Sequence, residues 1–202
     1  MSRQAPRARL SPAARKAQLV AAAADLFERI GYDQVSIEQI AARAGVSPAL
    51  VHHYFGSKRG AMLGVVDEAI ARFTAAVAPP EAGPDDPADR WIRLEATLER
   101  YLEFILLYPR GYAYATGAHG APDHEVRRRM AEAREHTLQL LLAQLELNDP
   151  TPEDALRVWG WIGFVHTTVV RWIDRPEIDR RALVTLLSDS ARLLIEPQRR
   201  HS

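Results

Sequence analysis

The sequence predicts an all-α fold in two parts, and three observations carry that expectation. Apolar residues recur at helical spacing through most of the chain. No segment reads as a strand. The runs are punctuated by Gly and Pro, most heavily in PPEAGPDDP at residues 79–87, where the domain boundary is expected.

Residues 1–10 (MSRQAPRARL) read as a disordered basic arm. A helix is expected over 11–30, with Leu19, Ala23, Leu26, Phe27 and Ile30 on one stripe and Gly31 as its stop. The stretch at 36–58, SIEQIAARAGVSPALVHHYFGSK, is the most informative. Ser36 caps a helix and Gln39 completes a capping box, while Val35 and Ile40 stand at the spacing of a hydrophobic staple. Gly45 supplies a left-handed stop. Ser47 then caps a second helix whose first residue is Pro48, and Val46 and Val51 repeat the staple. Short helices over 37–44 and 48–55 follow, then a longer one over 58–77.

Beyond the boundary, Trp91, Leu94, Leu98, Tyr101 and Ile105 line one face of a helix over 88–107, which Pro109 stops. GYAYATGAHG at 111–120 reads as irregular, with one or two helical turns at most. Helices over 122–147, 152–174 and 177–195 complete the chain, separated by NDPTP and DRPEI. The organisation is therefore an arm (1–10), a compact head (11–57), a linking helix (58–78) and a helical body (88–196).

The formal net charge is zero, which argues against a nucleic-acid partner until its distribution is counted. Residues 1–60 hold nine Lys or Arg against four acids, so this end carries +5 and the remainder −5. The chain has no cysteine, which excludes disulfides and thiolate metal sites. No apolar run has the length of a membrane span, and Arg15 and Lys16 interrupt any signal-peptide core. A soluble cytoplasmic protein without a membrane partner is expected. Enzyme motifs are missing: no GxSxG, no P-loop and no dinucleotide glycine fingerprint. His119 and His124 flank a break, and His52 and His53 are adjacent rather than four apart, so neither metal nor cofactor is expected.

Two short capped helices crossing through a glycine turn form a helix-turn-helix, whose second helix can enter the DNA major groove. Spacing alone leaves a plain small helical domain open. The residues go further: IAARAGVSPALVHHYFGSK, with LVAAAADLFERIGYDQVSIEQIA before it and MLGVV after it, closely resembles the DNA-binding segment of TetR/AcrR-family transcriptional regulators. The resemblance covers about a quarter of the chain. It implies that 48–55 is a recognition helix, with Pro48, Ala49 and His53 facing bases and Leu50 turned either outward or into the core. Ser36 and Ser47 are implied phosphate contacts, as are Tyr54 and Lys58. His52 stands where relatives frequently carry tyrosine and keeps a possible phosphate contact with less stacking area. For Tyr54 and Phe55, burial in the head is the alternative.

In the family so resembled, the last two long helices pair with their copies. That implies a homodimer through Trp159, Ile162, His166, Val169 and Ile173 on one helix and Leu183, Leu187 and Leu194 on the other. Burial within a monomer is the alternative. The same resemblance places a pocket after residue 88, with Tyr101, Phe104, Tyr112, Thr116, His119, Trp161, Phe164, Thr168 and Arg171 as candidate ligand contacts. Each is open to a plain core role. Arg171 on an apolar helix calls for a carboxylate, from Asp174, a ligand or a partner subunit. The expected function is a DNA-binding regulator, a repressor released from a palindromic double-stranded operator by a small hydrophobic or aromatic ligand. The alternatives are a helical small-molecule-binding protein and a partner-controlled regulator of the same fold.

Overall fold

The computed structural model describes residues 10–78, 89–115 and 123–196. The described residues form helices and turns without strands: α1 (Pro12–Ile30), α2 (Ile37–Ala44), α3 (Pro48–Phe55), α4 (Lys58–Val77), α5 (Arg90–Leu107), α6 (Pro109–Ala115), α7 (His124–Gln144), α8 (Pro152–Asp174) and α9 (Arg180–Ile195). The basic arm up to residue 9, the 79–87 break and the candidates Thr116 and His119 lie outside the described residues.

The chain divides into two compact units, Met1–Glu68 and Ala69–Ser202. The division falls inside α4, ahead of the Pro-rich break. Side chains explain why: Gly64 on the first half of α4 lies against Phe55 and Val20 of the head, while Phe73 and Val77 on its second half belong to the body core.

In the head, each expected cap is present. The Ser11 hydroxyl accepts from the Ala14 amide and starts α1, and Gly31 at φ 83° ends it. Ser36 and Gln39 close the capping box reciprocally, at 3.3 Å and 2.7 Å. Gly45 adopts the left-handed conformation at φ 66°, which turns the chain between α2 and α3. Leu19, Ala23, Ile40 and Val51 are fully enclosed, so three helices share one small core. Ile30, expected on that stripe, is 42% exposed.

The body core is built on the expected α5 face, with Trp91, Leu94, Leu98, Tyr101 and Ile105 all buried. The stretch after Pro109 folds into a two-turn helix, α6, because proline is tolerated in the first turn of a helix. Helices α8 and α9 run antiparallel: Arg157 donates to the Leu194 carbonyl at 3.0 Å, and the Trp161 indole donates to the Leu187 carbonyl at 3.1 Å. Arg100 on α5 holds the end of α4, donating to the carbonyls of Ala76 at 2.8 Å and Ala78 at 3.3 Å.

Candidate functional site

The recognition candidate α3 buries one residue completely, Val51, and turns its other face out. Pro48, Ala49, His52 and His53 are exposed and occupy one side of its two turns, while Leu50 is half-buried. The Ser47 hydroxyl accepts from the Leu50 amide at 3.4 Å. Both capping serines use oxygen lone pairs for their caps; the Ser47 proton is left to donate outward, whereas the Ser36 hydroxyl also donates to the Glu38 carboxylate and holds its pKa below the ordinary value. His52 Nδ1 lies 3.1 Å from the Gly56 carbonyl, an acceptor, so Nδ1 carries the proton and Nε2 faces away from that bond. His53 stands edge-on to Tyr54 with ring centroids 5.5 Å apart. Tyr54 and Phe55 are half-buried.

Lys58 has an additional task that the sequence did not reveal. Its ammonium donates to the carbonyls of Tyr32 at 3.1 Å and Asp33 at 3.3 Å, and lies 4.5 Å from the centroid of the Tyr32 ring. It therefore closes the α1–α2 turn onto the start of α4. An ammonium has three donors, and two are engaged here.

Two glycines set how α3 meets α4. A Cβ on Gly60 would stand 1.9 Å from the Phe55 carbonyl oxygen, and a Cβ on Gly64 would stand 3.0 Å from the Phe55 ring. Their spacing of four in a helix is visible in the sequence, and it was the available signal for this seat.

Several body expectations are corrected. Val169, Leu183 and Leu187 are fully buried inside their own chain, so none of them forms an outward seam. Ile162 and Ile173 are half-buried and pack against the same core, and His166 points to Tyr112 on α6. The cause is a rotation of the apolar stripe. The inward side of α8 is Val158, Trp161, Val165 and Val169, and the outward side carries Leu156, Trp159, Gly160, Gly163 and Phe164. Trp159 and Leu194 do face outward, at 40% and 43% exposure, joined on α9 by Leu186 and Leu193. Phe164, expected at the ligand, belongs to this outward stripe. Trp161 is core, with its indole N–H bound to Leu187 and Ser190. Thr168 is half-buried. Arg171 is exposed and pairs at 3.0 Å with Glu177 rather than with Asp174.

Tyr101 and Tyr112 do come together. Their hydroxyls are 2.6 Å apart, and the Tyr112 hydroxyl bonds to His166 Nδ1. Phe73 meets both Tyr101 and Phe104 edge-on, at 5.8 Å and 5.9 Å between centroids. Burial pushes both tyrosine pKa values above their ordinary value. Burial, and then the charge of Arg134, lowers His166 to about 4. Arg134, on α7 among other arginines, was not distinguishable in the sequence.

Capped helix-turn-helix geometry in the head and a helical body with an enclosed aromatic–polar cluster define a class of two-part helical regulators. The model for bacterial regulatory proteins of the tetR family matches residues 19–62, and that for the tetracyclin repressor-like C-terminal domain matches residues 92–193. The chain belongs to the TetR family of bacterial regulatory proteins. It is 40% identical over 84 residues to the HTH-type transcriptional regulator BetI of Rhizobium meliloti, covering 38% of this chain and 41% of that protein. It is 31% identical over 98 residues to the HTH-type transcriptional activator FasR of Mycolicibacterium smegmatis, covering 48% of this chain and 43% of that protein. The chain thus spans less than half the length of these relatives. A tetR-family transcriptional regulator from Streptomyces coelicolor superposes with TM-score 0.81 at 28% identity, over 92% of this chain and 82% of that one. The fatty acid degradation regulator FadR of Bacillus halodurans shares the fold, with TM-score 0.69 at 21% identity over 95% and 98% of the two chains.

Proposed function

We propose that this protein is a homodimeric, cytoplasmic transcriptional repressor that binds a palindromic operator and leaves it when a small organic ligand enters the body. The exposed face of α3 carries this reading. Pro48, Ala49, His52 and His53 stand clear of the core on a helix held at both ends, by the Ser47 cap and by the Gly60–Phe55 seat. No Arg, Lys, Asn or Gln lies on α3. Direct reading is therefore left to apolar contact of Ala49 with thymine methyls and to hydrogen bonds from His53. Ser36, Ser47, Tyr54 and the third donor of Lys58 serve the phosphates.

The dimer is assigned to the outward stripe of α8 and α9: Leu156, Trp159 and Phe164 with Leu186, Leu193 and Leu194. Large apolar side chains stand exposed at helical spacing on two antiparallel neighbours, and exposed apolar faces mark interaction sites. Gly160 and Gly163 in the middle of the stripe permit close approach of a second helix. Release requires that the ligand bind the DNA-free state more tightly than the bound state.

The test is a mobility-shift titration on DNA flanking the gene, with excess nonspecific competitor. Wild type should give a specific complex, and Ala49→Glu, which puts a carboxylate into the groove face, should abolish it. A specific complex unaffected by Ala49→Glu would remove α3 from the reading role.

A further inference from the structure

We infer that the body binds an organic acid, with its carboxylate against Arg134 and the Tyr101–Tyr112–His166 chain and its apolar part against Phe73 and Phe104; this rests on the ligand-responsive reading above. The inference follows from a count of donors and charge. Tyr101, Tyr112 and neutral His166 bring three polar protons to a chain with two hydrogen bonds. Whichever way the chain is oriented, one donor is left over. With Tyr112 donating to Nδ1, the spare donor is His166 Nε2–H. In the opposite orientation it is the Tyr101 hydroxyl.

Arg134 adds a cation to this surplus. Its charge acts on both Tyr112 and His166. Its Nε is buried without a hydrogen-bond partner, and no ion pair among the described residues involves it. By contrast, Arg128 and Arg129 on the same helix are both paired with Glu125. A buried guanidinium N–H without an acceptor is costly, and neither a tyrosine oxygen nor the imidazole of the chain accepts from Arg134 Nε. The missing group is an acceptor carrying negative charge, and a carboxylate matches the guanidinium fork. Beside it, the rings of Phe73, Tyr101 and Phe104 meet edge to face and offer an apolar wall. All of these residues lie in the Ala69–Ser202 unit.

Calorimetric titration of the full-length protein with decanoate and phenylacetate, each against its neutral amide and against acetate, tests the inference. At least one acid should bind about tenfold or more tightly than its amide, as a charge-assisted pair requires. Acetate should bind far more weakly than either, because it lacks the apolar part. Arg134→Gln should bring acid and amide within about twofold, and Tyr112→Phe, which keeps the ring, should weaken the acid several-fold. Amides that match their acids, acetate that matches decanoate, failure of both acids to bind, or an acid preference that survives Arg134→Gln would each overturn it. If amides bind and dissociate the operator complex while acids do not, the regulatory reading stands and the acid is wrong. If acids bind through Arg134 but leave the operator complex intact, the acid site stands and ligand release is wrong.

Discussion

Replacing Gly60 by alanine should loosen the recognition helix, and the structure sets the size of the effect. The new Cβ would lie 1.9 Å from the Phe55 carbonyl oxygen, about 1.1 Å inside the 3.0 Å that such contacts respect. The obstacle is backbone, so no side-chain rotation relieves it. Overpacking of this kind costs about 1–3 kcal/mol, towards the upper end when the neighbour cannot turn aside. Better helix propensity returns at most about 1 kcal/mol. A net loss of about 2 kcal/mol remains, which corresponds to about thirtyfold faster hydrogen exchange in the protected amides of α3. Gly64→Ala is the control: its neighbour at 3.0 Å is the edge of the half-buried Phe55 ring, which can tilt. That variant should stay within about 0.5 kcal/mol of wild type. Hydrogen exchange read by mass spectrometry is the suitable assay, because all four tryptophans (Trp91, Trp159, Trp161 and Trp172) lie in the body and do not report on the head. Equal protection in Gly60→Ala and wild type, or equal loss in the two variants, would refute the backbone seat.

Other perturbations have defined outcomes. Trp159→Asp or Phe164→Asp should yield a folded monomer by light scattering with near-native circular dichroism, whereas Leu187→Asp should unfold the body by placing an unpaired carboxylate at a fully buried site; a dimer that survives both exposed changes would reject the α8–α9 face. Lys58→Ala should lower operator affinity and make its salt dependence shallower by about one phosphate contact. It should also destabilise the head, whose α1–α2 turn it closes; an unchanged salt slope would leave Lys58 with the structural task alone. His166 has its pKa lowered to about 4 from an ordinary 6.5, so below that ordinary value the unfolded chain takes up a proton that the folded one refuses. The contribution is complete above about pH 6.5 and is lost as pH falls toward 4, by up to about 3 kcal/mol. Denaturant titrations of wild type and His166→Gln should converge over that window, and parallel curves would contradict the buried neutral imidazole.

The head was readable residue by residue because its signals are local. Ser36, Gln39, Gly45 and Ser47 act within four positions of themselves, and each makes the bond its spacing implies. The α5 face was readable for the same reason, since a helix buried on one side announces that side by its period. Helix α8 was not. It is apolar on two sides, so the choice between core and outward seam depends on how α9 packs against it, and the period alone cannot make it. Trp161 and Trp159 are two residues apart, and one is core while the other is exposed. Lys58 and Arg134 were opaque for a related reason: the groups they act on lie far away in sequence, Tyr32 and Asp33 for Lys58 and Tyr112 and His166 for Arg134.

The central claim, a dimer reading DNA through α3, is tested most directly by footprinting the wild-type complex on its operator and measuring the mass of the same complex. Two protected half-sites in inverted orientation, centred about 34–36 Å apart or a multiple of that, with an even number of protomers bound, is the predicted result. A single protected half-site held by one protomer, or protection without sequence preference, would contradict it.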